Sequence, residues 1–295
     1  MSQPQRGRLG VAIREPLQWH DLVQVARTVE QTRYEALFVP EIAGREAFST
    51  LAALAPLTET LRLGSGVVPI TSRVPFTTAM AAATVQEISD GRFVLGLGAG
   101  FERRLQAMRD YVREVRAAQL SFDPGPPPPI WLAALGDGML RLSGEIADGV
   151  LLNWCTPERV AAARRLVDET ARDAGRELIT VAVYVRACIE PDQGRALAAL
   201  RPQAAQYASI PHYRHQLEAM GLGAAAEAAA SGADPDDLVR ALCILGGSAA
   251  AAARVREYED AGADLTIVYP VPVLEPVSSL LGTILALAPE PALEA

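Results

Sequence analysis

Short apolar runs alternate with amphipathic stretches along most of this chain. Leu9–Ile13, Ala36–Pro40, Leu61–Val67, Arg92–Leu97, Ile130–Leu135, Val150–Asn153, Leu178–Val185 and Leu265–Tyr269 are brief and rich in Val, Ile, Leu and Phe. Strands covered on both faces have this composition. Between them, apolar residues recur at helical spacing over Trp19–Arg33, Leu51–Thr60, Pro75–Glu87, Phe101–Gln119, Met139–Ile146, Pro157–Ala174 and Ser248–Ala261, with one more helix closing the chain. An alanine-rich helical excursion from Gly194 to about Ala230 interrupts the alternation, an insertion of about residues 190–235 after the seventh strand. Eight strands, each paired with a helix, predict an α/β fold: a (β/α)8 TIM barrel forming one domain over residues 1–295. A doubly wound sheet is the alternative from pattern alone, but at this length it usually has fewer strands.

Two of the predicted strands run directly into glycines. Leu61-Arg-Leu-Gly-Ser-Gly-Val-Val-Pro69 and Ser89-Asp-Gly-Arg-Phe-Val-Leu-Gly-Leu-Gly-Ala-Gly100 flank the helix that opens at Pro75. This is a βαβ unit with both glycine loops at the carboxyl ends of parallel strands, where ligands of α/β proteins sit. The loops are not a dinucleotide fingerprint, because Phe101 stands where a third glycine would be needed. They fit a backbone lying close to an extended ring system, or simply tight strand-to-helix turns. A third such loop, Ala134-Leu-Gly136-Asp137-Gly138, follows a strand and opens a helix, so its N–H groups suit a phosphate. Its other reading is a helix capped by Asp137.

Composition narrows the chemistry. All 27 basic residues are arginine, which excludes Schiff-base chemistry, pyridoxal-phosphate anchoring and a phosphate-loop lysine. Only His20, His212 and His215 are available, so no multi-histidine metal centre is expected. A net charge of -8 disfavours nucleic acid and anionic membranes as partners, and no apolar run is long enough to span a bilayer. Cys155, Cys188 and Cys243 are odd in number and far apart, as expected of buried thiols in a reducing cytoplasm, and the first residues carry no apolar signal core.

The ordered set of motifs resembles the luciferase-like flavin and deazaflavin oxidoreductases. The glycine loops carry the resemblance first, with Thr71-Ser-Arg73-Val-Pro75, Ile88-Ser-Asp-Gly-Arg92 and Pro129-Ile-Trp-Leu-Ala-Ala-Leu-Gly-Asp-Gly-Met139. Ala147-Asp-Gly-Val-Leu151 and Ala261-Gly-Ala-Asp-Leu265 extend it across almost the whole chain. The resemblance implies hydride transfer between the deazaflavin coenzyme F420 and a small organic substrate. FMN-dependent monooxygenation, or a degenerate barrel that binds a flavin without turnover, is the alternative. It also implies a cis peptide at Gly66–Val67 that props the ring. The implied cofactor contacts are Ser65, Gly66, Val67, Gly98 and Gly100, with Ala134, Leu135, Gly136, Asp137 and Gly138 at the phosphate. Glu41 matches the family's acidic position, although Ile42 stands where some relatives have histidine. Glu41 and Glu15 are therefore the expected proton donors, with His212 and His215 as substrate contacts and no metal. The segment from Gly100 to Pro126 is shorter than in relatives, which leaves the substrate open. A homodimer in the cytoplasm is the expected assembly.

Overall fold

The computed structural model describes residues 8–289 apart from Glu15, Phe101 and Arg103. Ten parallel strands are present: β1 Arg8–Ala12, β2 Ala36–Val39, β3 Arg62–Ser65, β4 Val68–Pro69, β5 Phe93–Gly98, β6 Ile130–Ala133, β7 Gly149–Asn153, β8 Thr180–Cys188, β9 Ile244–Leu245 and β10 Leu265–Pro270. Eight of them close a ring in the order β1, β2, β3, β5, β6, β7, β8, β10, with β10 pairing both β8 and β1. The expected (β/α)8 barrel is therefore the fold. The two short strands are attachments: β4 resumes the edge of β5 beyond β3, and β9 pairs alongside the last residues of β8.

Helices α1 Trp19–Gln31, α2 Ala47–Leu54, α3 Pro75–Ile88, α4 Leu105–Ala117, α5 Asp137–Ile146 and α6 Pro157–Asp173 surround the first seven ring strands. Four more follow β8: α7 Gln193–Ala208, α8 Pro211–Ala219, α9 Gly223–Ala230 and α10 Asp236–Leu242; α11 Ser248–Asp260 and α12 Pro276–Ala286 complete the shell. The helix expected over Leu51–Thr60 starts four residues earlier, because Glu46 caps it by accepting from the Phe48 and Ser49 N–H groups. The excursion expected to end near 235 continues through α10 to Leu242. The seventh ring strand, expected to stop at Val185, runs on to Cys188.

Side chains alternate in and out along each strand, and the inward set forms a packed core. Phe38, Trp131 and Tyr184 meet on the axis, with Phe38 5.8 Å from Trp131 and 6.0 Å from Tyr184 between ring centroids. Glycine makes room for them. A Cβ on Gly64 would lie 2.3 Å from the Phe38 ring, and one on Gly149 2.6 Å from the Trp131 ring. The other face of the strands packs beneath the outer helices in a larger apolar layer. A separate cluster, including Trp154, Leu200, Leu217 and Leu238, joins α7–α10 to the β7 and β8 side of the barrel.

Candidate active site

Because all ring strands are parallel, their carboxyl ends share one rim, and the two halves of that rim differ in chemistry. On one half, alternation places Gly66, Gly98 and Ala133 inward at the ends of β3, β5 and β6, so almost no side chain fills the mouth. On the other half, Asn153, Arg186 and Tyr269 take the equivalent inward positions on β7, β8 and β10. Beside β1 and β2 a cavity of about 600 Å³ opens between Ile13, Arg14, Val39, Pro40, Ile42 and Gln203 of α7.

The bare half is shaped by a bulge. Ser65 Oγ donates to the Gly96 carbonyl at 3.0 Å and accepts from the Gly96 N–H at 2.8 Å, taking the place of a strand-to-strand rung. The chain then rises through Gly66 and Val67, whose peptide bond is cis, before β4 rejoins β5. Ser65 was expected to touch a cofactor, but it is fully buried, with its hydroxyl spent on Gly96. It shapes the bulge instead. The missing side chains of Gly66 and Gly98 are matched by protein atoms: Cβ atoms there would lie 2.5 Å from the Tyr184 hydroxyl and 2.5 Å from Val67 Cγ2. Gly100 turns the chain with φ of 60° against Thr71. Gly66 and Gly100 keep an accessible face, whereas Gly98, expected to touch the cofactor, is itself buried beneath Val67.

The expected phosphate loop lies at the start of α5. Gly136 is the N-cap residue, so Asp137 is not the cap but the first helical residue. Asp137 is exposed and paired with Arg159 at 2.9 Å, and Arg159 also donates to the Leu135 carbonyl at 2.9 Å. A Cβ on Gly136 would meet nothing within 4 Å, so the entrance to α5 is open on that side, and within the first turn the Met139 N–H is bonded to the Gly136 carbonyl at 3.1 Å. Gly138 is approached at its side by Leu105. Ala134 corrects the expectation by one residue: it is buried in the outer apolar layer, and Ala133 takes the place at the mouth.

Glu41 lies at the rim just beyond β2, with its side chain 14% exposed. One oxygen is bonded to Arg73, and the other accepts from the Ala47 N–H at 3.1 Å. Arg73 also pairs with Glu46, stacks 5.1 Å over Phe48, and through its carbonyl accepts from Tyr111. The hydrogen bond to Glu41 outweighs burial and holds the Arg73 guanidinium above its ordinary pKa. Burial opposes ionisation of Glu46, yet the Ser49 and Phe48 bonds and the Arg73 charge together hold its carboxyl below the usual range. Both Glu41 oxygens are thus engaged, one by Arg73 and one by the backbone at the start of α2. Glu15, the other expected donor, lies outside the described residues.

Helix α8 reverses the expectation for the histidines. His212 and His215 share its outward face, and His215 is 88% exposed beside Glu218. The face turned to the barrel carries Tyr213, whose hydroxyl accepts from Asn153 Nδ2 at 2.8 Å, and Gln216, which donates to the Asn153 and Trp154 carbonyls. Arg186 sits beneath them, 3% exposed, bonded through Nη1 to Asn153 and through Nε to Gln203 at 3.4 Å. Its guanidinium is 4.5 Å from the Trp154 ring, 4.7 Å from Tyr269 and 5.0 Å from Tyr207. Trp154 reaches this position with a φ of 53°. Sequence reasoning missed this whole cluster. Its one legible signal was a single arginine, at an inward-facing position, within the apolar run Thr180–Cys188.

A second cavity, of about 850 Å³, lies at the opposite end of the barrel between α3, α4 and the proline-rich segment before β6. Of its charged residues, Arg116 and Asp148 bond each other at 2.9 Å and Asp123 accepts from the Gly125 N–H at 2.9 Å, while the rest of the lining is mostly aliphatic or proline, with Gln119 and Phe122. Among the described residues no helix is long and apolar enough to cross a membrane, and no group of three metal-ligating side chains occurs.

Comparison with known proteins agrees with this geometry. The 5,10-methylenetetrahydromethanopterin reductase of Archaeoglobus fulgidus is 29% identical over 226 residues, covering 66% of this chain and 68% of the relative. The fold matches the coenzyme F420-dependent tetrahydromethanopterin reductase of Methanopyrus kandleri with a TM-score of 0.77 at 21% identity, over 96% of this chain and 98% of that one. It also matches an F420-dependent secondary alcohol dehydrogenase, solved with an F420-acetone adduct, with a TM-score of 0.79 at 15% identity, over 96% and 99% of the two chains. At these identities the structural likenesses speak for the fold alone. The family model for luciferase-like monooxygenases matches residues 4–265, and the chain belongs to that family.

Proposed function

We propose that this protein is an oxidoreductase that transfers a hydride between coenzyme F420 and a small organic substrate. The observation that carries the reading is the bare half of the mouth. Gly66, Val67 and Ala133 form a platform with no polar side chain, and the open N-terminus of α5 lies beside it at Gly136. A flat tricycle fits the platform, and the first-turn N–H groups of α5 would hold a phosphate of its side chain. The names of the relatives favour the deazaflavin over FMN. When bound, F420 supplies the hydride chemistry at its ring carbon C5. The chain supplies orientation and exclusion of water: the bulge would support the ring, and α7 and α8 would cover the substrate side. Glu41 acts by fixing Arg73 and the start of α2 at the rim, so it is a positioning residue. The proton that accompanies the hydride then comes from another group or from solvent.

Parallel fluorescence titrations with F420 and FMN test the reading. F420 is expected to bind at least tenfold more tightly, about 1.4 kcal/mol. Equal or tighter FMN binding would move the protein to the monooxygenase side of the family. The assembly we propose is a homodimer in the cytoplasm, joined across α3, whose outer face exposes Phe76, Met80 and Ile88. A monomer by sedimentation at micromolar concentration would remove it.

A further inference from the structure

Among the described residues, no carboxylate pairs with the buried cation of Arg186. Among the described residues its hydrogen bonds go only to the amide oxygens of Asn153 and Gln203, and its Nη2 makes none. Burying a guanidinium without a counter-charge is costly, and sequences retain such a group where something else supplies the charge. The Trp154 indole N–H, in the ring stacked on this guanidinium, is also buried with no hydrogen-bond partner. Two donors on adjacent side chains therefore lack an acceptor among the described residues. Gln203 ties the site to the open mouth, since it bonds Arg186 and also lines the cavity at the ends of β1 and β2.

We propose that Arg186 is a specificity residue for the substrate, receiving a carboxylate on Nη2 while Trp154, Tyr207 and Tyr269 pack against the substrate's apolar body. This rests on the F420 reading above and adds to it the substrate class, a small monocarboxylate. One buried guanidinium balances one negative charge, which favours a carboxylate over a doubly charged phosphate monoester. The surrounding rings hold the guanidinium in place, so little order is lost when the anion arrives. The reacting carbon would be a neighbour of the anchored group, brought over the ring platform on the other half of the mouth.

Calorimetric titration of the wild-type protein, with and without F420, tests this using acetate, propionate and benzoate, each against its neutral amide, and inorganic phosphate. At least one carboxylate is expected to bind tenfold or more tightly than its amide. Arg186→Gln should abolish that preference, Arg186→Lys should retain part of it, and F420 affinity in Arg186→Gln should stay within threefold. Amides binding as well as carboxylates in every pair, or a preference that survives in Arg186→Gln, would overturn the assignment. Phosphate binding more tightly than any carboxylate would overturn the choice of a single charge. The wild-type comparison stands even where a variant fails to fold. Loss of the F420 reading has a separate signature, a carboxylate preference in a protein that does not bind F420.

Discussion

At the scale of single residues, the site is governed by which oxygen and nitrogen atoms are already occupied. Glu41 shows this most clearly, since Arg73 and the Ala47 N–H engage both of its oxygens. Glu41→Gln should therefore lower kcat by about tenfold through misplacement of Arg73, short of the ~100-fold or greater loss typical of removing a general acid. Its pH–rate profile should keep the wild-type shape. A loss beyond ~100-fold together with a vanished limb in that profile would make Glu41 the proton donor after all. Glu41 stood out because it follows an apolar strand at the position where the resembled family has an acidic residue. Its partners were not legible, because they lie on a loop and a helix start whose approach depends on the closed barrel. Arg186 is similar: its position could be read from strand parity, but Gln203 and Tyr213 come from helices folded back over the mouth.

At the scale of elements, strand parity and helix rotation decided what could be read. One residue of offset separates Ala134, which packs outward, from Ala133, which faces the mouth, and a loop motif alone cannot resolve that step. Helix α8 was recognisable, but its rotation is set by α7, α9 and the β7 end together, and this turned the histidines away. The glycines of β3 and β5 were correctly placed at strand ends, yet several of them serve neighbouring strands before any ligand. Gly64 is the sharpest case, with the Phe38 ring occupying its side-chain space between Trp131 and Tyr184. Gly64→Ala should destabilise the protein by about 1–3 kcal/mol, because the enclosed ring has nowhere to swing. Urea unfolding measures this, and an unchanged midpoint would mean that the inner layer is looser than its contacts indicate.

At the scale of the whole molecule, the interior buries many groups that are neutral only while protonated. Burial pushes the thiols of Cys155 and Cys243 up to about 12 and that of Cys188 up to about 11, from a usual 9.0. It also raises the phenols of Tyr34, Tyr184, Tyr213 and Tyr258. Above pH 9 the unfolded chain releases protons that the folded chain keeps, so stability falls as pH rises. Each such group contributes a slope of about 1.4 kcal/mol per pH unit between its unfolded and folded pKa. Tm should accordingly be insensitive to these groups from pH 6 to 8 and drop steeply between pH 9 and 11, as followed by calorimetry. A flat profile through pH 11 would contradict the burial of these groups.

The division of the mouth into a bare half and a polar half also has a stereochemical consequence. A tricycle lying on Gly66, Val67 and Ala133 would turn one of its two faces to the barrel wall. Arg186, Tyr213 and the cover of α7 and α8 stand on the side of the other. The two faces of C5 differ little in solution, but in this mouth substrate would approach only one of them. Deuterium delivered from a labelled substrate should therefore appear on a single face of the reduced ring, and the reverse reaction should remove that same atom, as NMR of the recovered cofactor would show. The asymmetry of the barrel rim makes the hydride transfer a chiral event even where the substrate itself has no handedness.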